Sequence, residues 1–335
     1  MRIISAAALA AGTLALLAGC TGGAKNATST LPSAGTAQSN LRALGGIVLP
    51  SGVDTRYGGP ARVLSQLAKP AKAKVEKDLF VSDFGGEVIA LKNKTYQEVG
   101  TITQGLSDAD GLWTDSKGNL YVANATGPNV LEYKAGAGSP TCTYSSGLVD
   151  PINVTTDSAG NVYVADFNDL QTPGYVDEFP QCSNTVSKKF SVDSGPEGIA
   201  VDKQGNLFVS YFGQNGGNFE EFKGGSSTPT ALGAFVGSPG GLVLDKHGNL
   251  IADDQEGTID VIAPPYGSAT VLVSGLSGPF HCSLNKKEAL LFNANAAAGT
   301  VTVYKYPSGS LVTTLGSGNG ITGAAGVSDS PNAVF

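Results

Sequence analysis

From Asp78 onward, apolar residues come in short runs separated by clusters of Gly, Asn, Asp, Ser and Pro. The clearest unit is Pro196–Phe222. Its runs Ile199–Val201 and Leu207–Phe212 are joined by Asp-Lys-Gln-Gly-Asn, and a third run, Phe219–Phe222, follows a Gly/Asn turn. Runs of this length bounded by turn residues predict antiparallel strands in a meander. The phrase recurs over Asp110–Asn124, Ile152–Asp166 and Gly240–Asp254. The first run of each unit, such as Gly-Ile-Ala-Val or Gly-Leu-Val-Leu, lacks polar alternation, which predicts a strand covered on both faces.

The first residues of the second strands are Leu79, Leu120, Val162, Leu207, Leu250, Leu290 and Ala333, at intervals of 41, 42, 45, 43, 40 and 43 residues. One small sheet cannot bury both its faces, whereas sheets stacked around an axis bury each other's. This period with several strands per unit predicts a β-propeller. The first unit begins at Asp78 without a Pro-x-Gly strand, and the last, Gly323–Asn332, has that strand and little more. The expectation is an all-β fold of six four-stranded antiparallel blades. A C-terminal strand near Ala325–Asp329 would complete the N-terminal blade and remove two exposed sheet edges.

Pro196-Glu197-Gly198-Ile199-Ala200-Val201-Asp202 and Gly205-Asn206-Leu207-Phe208-Val209, with their counterparts, resemble the NHL-type repeat of six-bladed propellers. That group is structurally related to the regucalcin/gluconolactonase-like and TolB-like propellers. The resemblance covers about Lys77 to Phe335 and implies architecture more than activity, because such propellers serve as enzymes, adhesion modules and scaffolds.

Composition narrows the partners. The chain is 41% hydrophobic and only 15% charged, with 46 glycines and a formal net charge of −7. An acidic surface without a basic stripe repels phosphate backbones, so nucleic acid is not an expected partner. A monomer that binds a small polar ligand, a glycan or a partner protein is expected.

At the N-terminus, Arg2 precedes an apolar run from Ile3 to Ala18, the pattern of an export signal over residues 1–19. Leu17-Ala18-Gly19-Cys20 resembles a bacterial lipobox, which implies cleavage before Cys20 and acylation of its thiol and amine. A membrane-anchored protein with its domain outside the cytoplasm is then expected. Thr21 after the cysteine implies sorting to the outer membrane where the cell has one. Residues 20–76 start rich in Ser, Thr, Gly and Ala and read as a flexible tether, leaving 77–335 for the propeller.

Candidate chemistry is sparse. The Asp-x-x-Gly-Asn turns at Asp115, Asp157, Asp202 and Asp245 have a local cause, since Asp accepts turn amides and Gly and Asn tolerate positive φ. The second strands are expected to end at Asp83, Asn124, Asp166, Tyr211, Asp253 and Asn293, beside the channel mouth. This ring can bind a cation or a polyol, or it can cap turns. The variable residues of the Pro-x-Gly phrases, Asp110, Ile152, Glu197, Gly240, Phe280 and Ala325, are expected to face the mouth, with Asn153 and His281 one residue on. Gluconolactonase-like relatives hold a metal on such loops; that resemblance implies Asp110, Asn153 and Glu197 as ligands for Ca or Mg. Gly240, Phe280 and Ala325 offer no fourth oxygen donor. His281 is the candidate general base, against the alternative of a hydrogen-bonded interior histidine. Cys282 reads as a small buried hydrophobe. Cys142 and Cys182 fall after the third strands of adjacent blades; an exported protein permits their pairing, while the usual divergence of outer strands opposes it.

Overall fold

Each repeat folds as one four-stranded antiparallel sheet, and the strand nearest the axis comes first in five of the six. Blade 2 runs Ala109–Thr114, Leu120–Asn124, Asn129–Tyr133, Cys142–Tyr144; blade 3 runs Pro151–Thr156, Val162–Asp166, Gly174–Phe179, Lys188–Val192. Blade 4 runs Pro196–Val201, Leu207–Gly213, Gly216–Phe222, Thr230–Ala231; blade 5 runs Pro239–Leu244, Leu250–Asp254, Thr258–Ile262, Thr270–Ser274. Blade 6 is Pro279–Leu284, Leu290–Asn295, Thr300–Lys305, Ser310–Leu315. In blade 1, Ala324–Asp329 lies inside Asp78–Asp83, Glu87–Lys92 and Glu98–Ile102, so the last strand completes the first sheet as the broken repeat predicted.

The computed structural model describes residues 41–44, 47–50 and 78–330, apart from 136, 169–172 and 214–215. The export signal, Cys20, the Ala333 anchor and most of the tether lie outside the described residues. Within the tether, Leu41–Leu44 pairs antiparallel with Ile47–Pro50. Among the described residues no helix is long and apolar enough to cross a membrane.

Innermost strands touch their neighbours around a closed ring, and the core lies between blades. Phe80, Val88 and Ala90 of blade 1 pack on Leu112, Leu120, Val122 and Tyr133 of blade 2. The seam that closes the ring packs Leu79, Val81, Ile89 and Val327 on Phe292, Val301 and Val303 of blade 6. Each fully buried Phe, Leu or Val is worth roughly 1.5–3 kcal/mol, so no interface can be lost cheaply.

The turns on one face follow their sequence. Asp115 Oδ1 accepts the amides of Lys117 and Asn119, both at 2.8 Å, and Oδ2 accepts Asn119 Nδ2 at 2.8 Å. Asp157, Asp202 and Asp245 repeat this pattern, and Asn285 replaces the aspartate in blade 6. The opposite face carries the other end of the axis and is called the channel face below.

Candidate functional site

All six innermost strands slip register where they begin: between Ala109 and Leu112, Pro151 and Asn153, Pro196 and Gly198, Pro239 and Leu242, Pro279 and His281, and Ala324 and Val327. A bulge here bends the strand and re-aims its side chains. The result differs from the sequence expectation. Asp110, Ile152, Glu197, Gly240, Phe280 and Ala325 do not line an open mouth; every one is buried. Phe280 packs on Phe84, Ala296 and Ala325, and Ile152 joins the core between blades 3 and 4.

The next position reaches the axis. It is Gly326, Gly111, Gly198 and Gly241 in four blades, and Asn153 and His281 in the other two. Backbones approach closely here: a Cβ on Gly198 would stand 2.6 Å from the Gly240 carbonyl oxygen, and one on Gly111 would stand 2.6 Å from that of Ile152. Serines staple two of these bulges. Ser210 Oγ accepts the Gly198 amide at 2.9 Å and donates to the Gly240 carbonyl at 3.2 Å; Ser82 Oγ accepts the Gly326 amide and donates to the Asp110 carbonyl.

Space left by the glycines is filled by one imidazole. His281, from blade 6, places Nδ1 3.3 Å from Asn153 Nδ2 of blade 3, the blade diametrically opposite. Its Nε2 lies 3.5 Å from Asp110 Oδ1 of blade 2. With the Asn153 amide donating, Nδ1 accepts and the proton sits on Nε2, facing the carboxylate. All three side chains are buried, and the Phe280 ring stands edge-on to the imidazole at 4.6 Å between centroids. Below this crossing lies a cavity of about 20 Å³ bordered by Trp113, Asn153, Ile199, His281, Cys282 and Ser283. It has room for about one water molecule, far below the hundreds of Å³ of a substrate pocket.

The proposed metal ligands do not fit a cation in this arrangement. Asn153 turns its oxygen to the Val154 amide at 2.8 Å and its NH₂ to His281. Among the described residues, the one trio of His, Cys, Asp or Glu ligand atoms lying within 4.8 Å of one another is Glu132, Cys142 and Cys182; Asp110, Glu197 and His281 form no such group.

The ring of second-strand ends supports the incoming loops. Asp166 accepts the amides of Val149 and Asp150, Asn124 Oδ1 those of Ser107 and Asp108, and Asp83 that of Gly85 with the Thr322 hydroxyl. Two expected members are out of place. The blade 5 strand ends at Asp254, which accepts the Gly237 and Ser238 amides at 2.9 Å. A one-residue offset reverses the face, so Asp253 points into the interior beside Cys282, where burial pushes its carboxyl far above the ordinary value. Asn295, opposite Pro279, takes the place expected of Asn293, which lies two residues deeper and donates to Asn295 Oδ1 at 2.9 Å. In blade 4, Tyr211 stands opposite Pro196 as expected, but the strand continues to Gly213.

Four further acids have no role in the site expected from sequence: Glu132, Asp177, Glu220 and Asp260. They are buried acids on the third strands of blades 2 to 5, all with carboxyls raised by burial. Their signal was present: acids inside largely apolar strands, single at Glu132 and Asp260 and beside a second acid at Asp177 and Glu220, a position that exposed charges do not normally take. Cys142 and Cys182 pair, with Cα atoms 5.2 Å apart. The two blades stay close at this corner because the turn after blade 3's third strand folds back onto blade 2. There Asn184 Oδ1 accepts the Ser145 and Ser146 amides at 2.6 and 2.9 Å.

A family model described as "Strictosidine synthase-like, N-terminal" matches residues 190–213, a stretch holding Glu197 and Tyr211. Comparison with curated proteins finds no match. A chain in the crystal structure of a nidogen/laminin complex is similar at a TM-score of 0.60 and 20% identity, covering 75% of this chain and 97% of that one. Hydrazine synthase from Kuenenia stuttgartiensis has a TM-score of 0.57 at 14% identity, covering 76% and 87%. A functionally unknown protein from Desulfotomaculum acetoxidans DSM 771 gives 0.51 at 15%, covering 75% and 98%. These likenesses establish the six-bladed propeller fold.

Proposed function

We infer that this six-bladed propeller is an exported, lipid-anchored binding or scaffolding module, held to its membrane through Cys20. The observation that carries the reading is the filled axis. His281 bridges three blades where a propeller hydrolase needs a solvent-filled mouth, and the second-strand carboxylates are committed to loop amides. On the channel face, a ligand finds the rim, where Val149 and Phe235 stand exposed on loops that lead into blades 3 and 5. Exposed apolar side chains flanked by polar loops favour a partner protein over a free sugar or ion. The nidogen/laminin likeness supports the same preference, because that structure is of a protein complex.

A metal-dependent hydrolase of the lactonase kind is the second reading. The strictosidine synthase-like match across Glu197 and the buried Asp110–His281 pair favour it. Elemental analysis of the purified chain, followed by a lactone-hydrolysis screen with and without chelator, separates the two. Absence of stoichiometric divalent metal and of turnover is expected. Bound metal together with turnover that Asp110→Ala abolishes would overturn the binding reading. Labelling with a radioactive fatty acid, lost in Cys20→Ala, is the expected result for the anchor.

A further inference from the structure

The corner between blades 2 and 3 holds more chemistry than a structural bridge requires. Cys182 is exposed in the turn after Phe179, whereas Cys142, at the start of the outermost strand of blade 2, is only half-exposed. Directly beneath lies Glu132, completely buried, with Oε2 3.8 Å from Cys182 Sγ and a carboxylate oxygen within 4.8 Å of both sulfurs. Tyr144 Oη donates to Glu132 Oε2 at 2.8 Å and accepts the Cys182 amide at 3.0 Å, which fixes the carboxyl relative to the bridge. Glu132 Oε1 has no hydrogen-bond partner. A buried carboxyl with one oxygen unsatisfied is costly and calls for an explanation.

We propose that Cys142–Cys182 is an exchangeable disulfide, with Cys182 as the attacked sulfur and Glu132 as the acid–base group for Cys142. The co-reactant is a thiol, small or on a protein. Its thiolate attacks Cys182 Sγ from solvent, a bond forms between the two sulfurs, and the Cys142–Cys182 bond breaks. Cys142 leaves with the electron pair and takes the proton of the Glu132 carboxyl, which becomes a carboxylate. A second thiolate then attacks the external sulfur of the mixed disulfide; a bond forms between the two external sulfurs and the bond to Cys182 breaks. Cys182 leaves with the electron pair and takes a proton from solvent, and Glu132 regains its proton from solvent. The net change is one disulfide and two thiols giving two protein thiols and one external disulfide. The accessible sulfur of an exchanging pair is attacked, and the leaving sulfur departs faster when its charge is neutralised. Burial pushes the Glu132 carboxyl up, partly opposed by the Tyr144 hydrogen bond, so it carries a transferable proton at higher pH than an exposed glutamate does.

The test is reduction of the native full-length chain by dithiothreitol from about pH 5 to about pH 9, followed by alkylation and mass analysis. Glu132→Gln is expected to slow reduction at least about tenfold at the acidic end and to leave the alkaline end unchanged, since there the wild-type carboxyl has lost its proton. Tyr144→Phe moves the break in the pH profile without removing it. Independently of any variant, trapping the wild-type chain with glutathione is expected to place the mixed disulfide on Cys182. Resistance of the bridge to reduction until the protein unfolds would overturn the proposal. So would a mixed disulfide on Cys142, or a pH profile that Glu132→Gln leaves unmoved.

Discussion

Asp245 and Asp253 lie on the same blade, one on the turn face and one inside the sheet, and their environments are opposite. Burial raises the Asp245 carboxyl, but Asn249, Tyr306 and two turn amides donate to it and outweigh that effect, leaving it below its ordinary value. Asp253 is fully buried and receives no more than the weak thiol donor of Cys282, so burial leaves it well above. Between these two aspartates the difference is the number of donors. On the turn face Asp245 serves as a charged acceptor. Interior carboxyls of the blades, including Glu220 and Asp329, are held closer to their neutral forms.

The largest effect is expected at the seam on which both regions depend. Removing residues 324–335 strips blade 1 of its innermost strand and exposes two sheet edges. Cooperative thermal unfolding should be lost, as read by calorimetry. Next come paired glycines, one at the axis and one in a turn. Gly198→Ala forces a Cβ against the Gly240 carbonyl and should cost about 1–3 kcal/mol. Gly205→Ala meets open space, and its positive φ alone should cost about 1 kcal/mol. Equal costs in urea titrations would sink the claim that the axis is close-packed.

The carboxyl contrast itself is tested by isosteric amides. Asp245→Asn loses a charged acceptor of several hydrogen bonds and should destabilise by about 1.5–3 kcal/mol, whereas Asp253→Asn should change stability by less than about 1 kcal/mol at neutral pH. Finally, pH should separate the regions. Asp329 and Glu220 are pushed up to about 7 and Asp166 to about 6, each mainly by burial. A raised carboxyl binds its proton more tightly folded than unfolded. Its contribution is therefore complete below the unfolded value near 4 and is lost as pH rises through the folded one. The Tm should fall as pH is raised from about 5 to about 8, and Asp329→Asn should flatten that slope. Asp245 works in the other direction, its contribution fading only as pH drops below about 4.

Much of this was readable along the chain. The Asp-x-x-Gly-Asn turns, the blade period and the exchanged strand depend on contacts within one repeat or on counting repeats. Three of the six expected second-strand ends, Asp83, Asn124 and Asp166, are ends in the structure, because the strand opposite starts at an identifiable Ala or Pro; Tyr211 stands opposite Pro196, two residues before its strand ends. Asp253 and Asn293 were misplaced by one and two residues, since Asp253-Asp254 and Asn293-Ala294-Asn295 each offer two polar candidates. Six bulges at the start of the innermost strands could not be read from alternation, and they decide where Asp110 and Glu197 point.

Local sequence, then, determined the strands, the turns and the number of blades, because hydrogen bonds to neighbours a few residues away enforce them. Tertiary structure alone decided that His281 meets Asn153 and Asp110 across 128 and 171 residues of chain, as 281 − 153 and 281 − 110 show. It likewise decided that Cys182 folds back to Cys142 above Glu132. Those meetings depend on the angle between blades and the side a bulge selects, which are set by the packing of the whole ring.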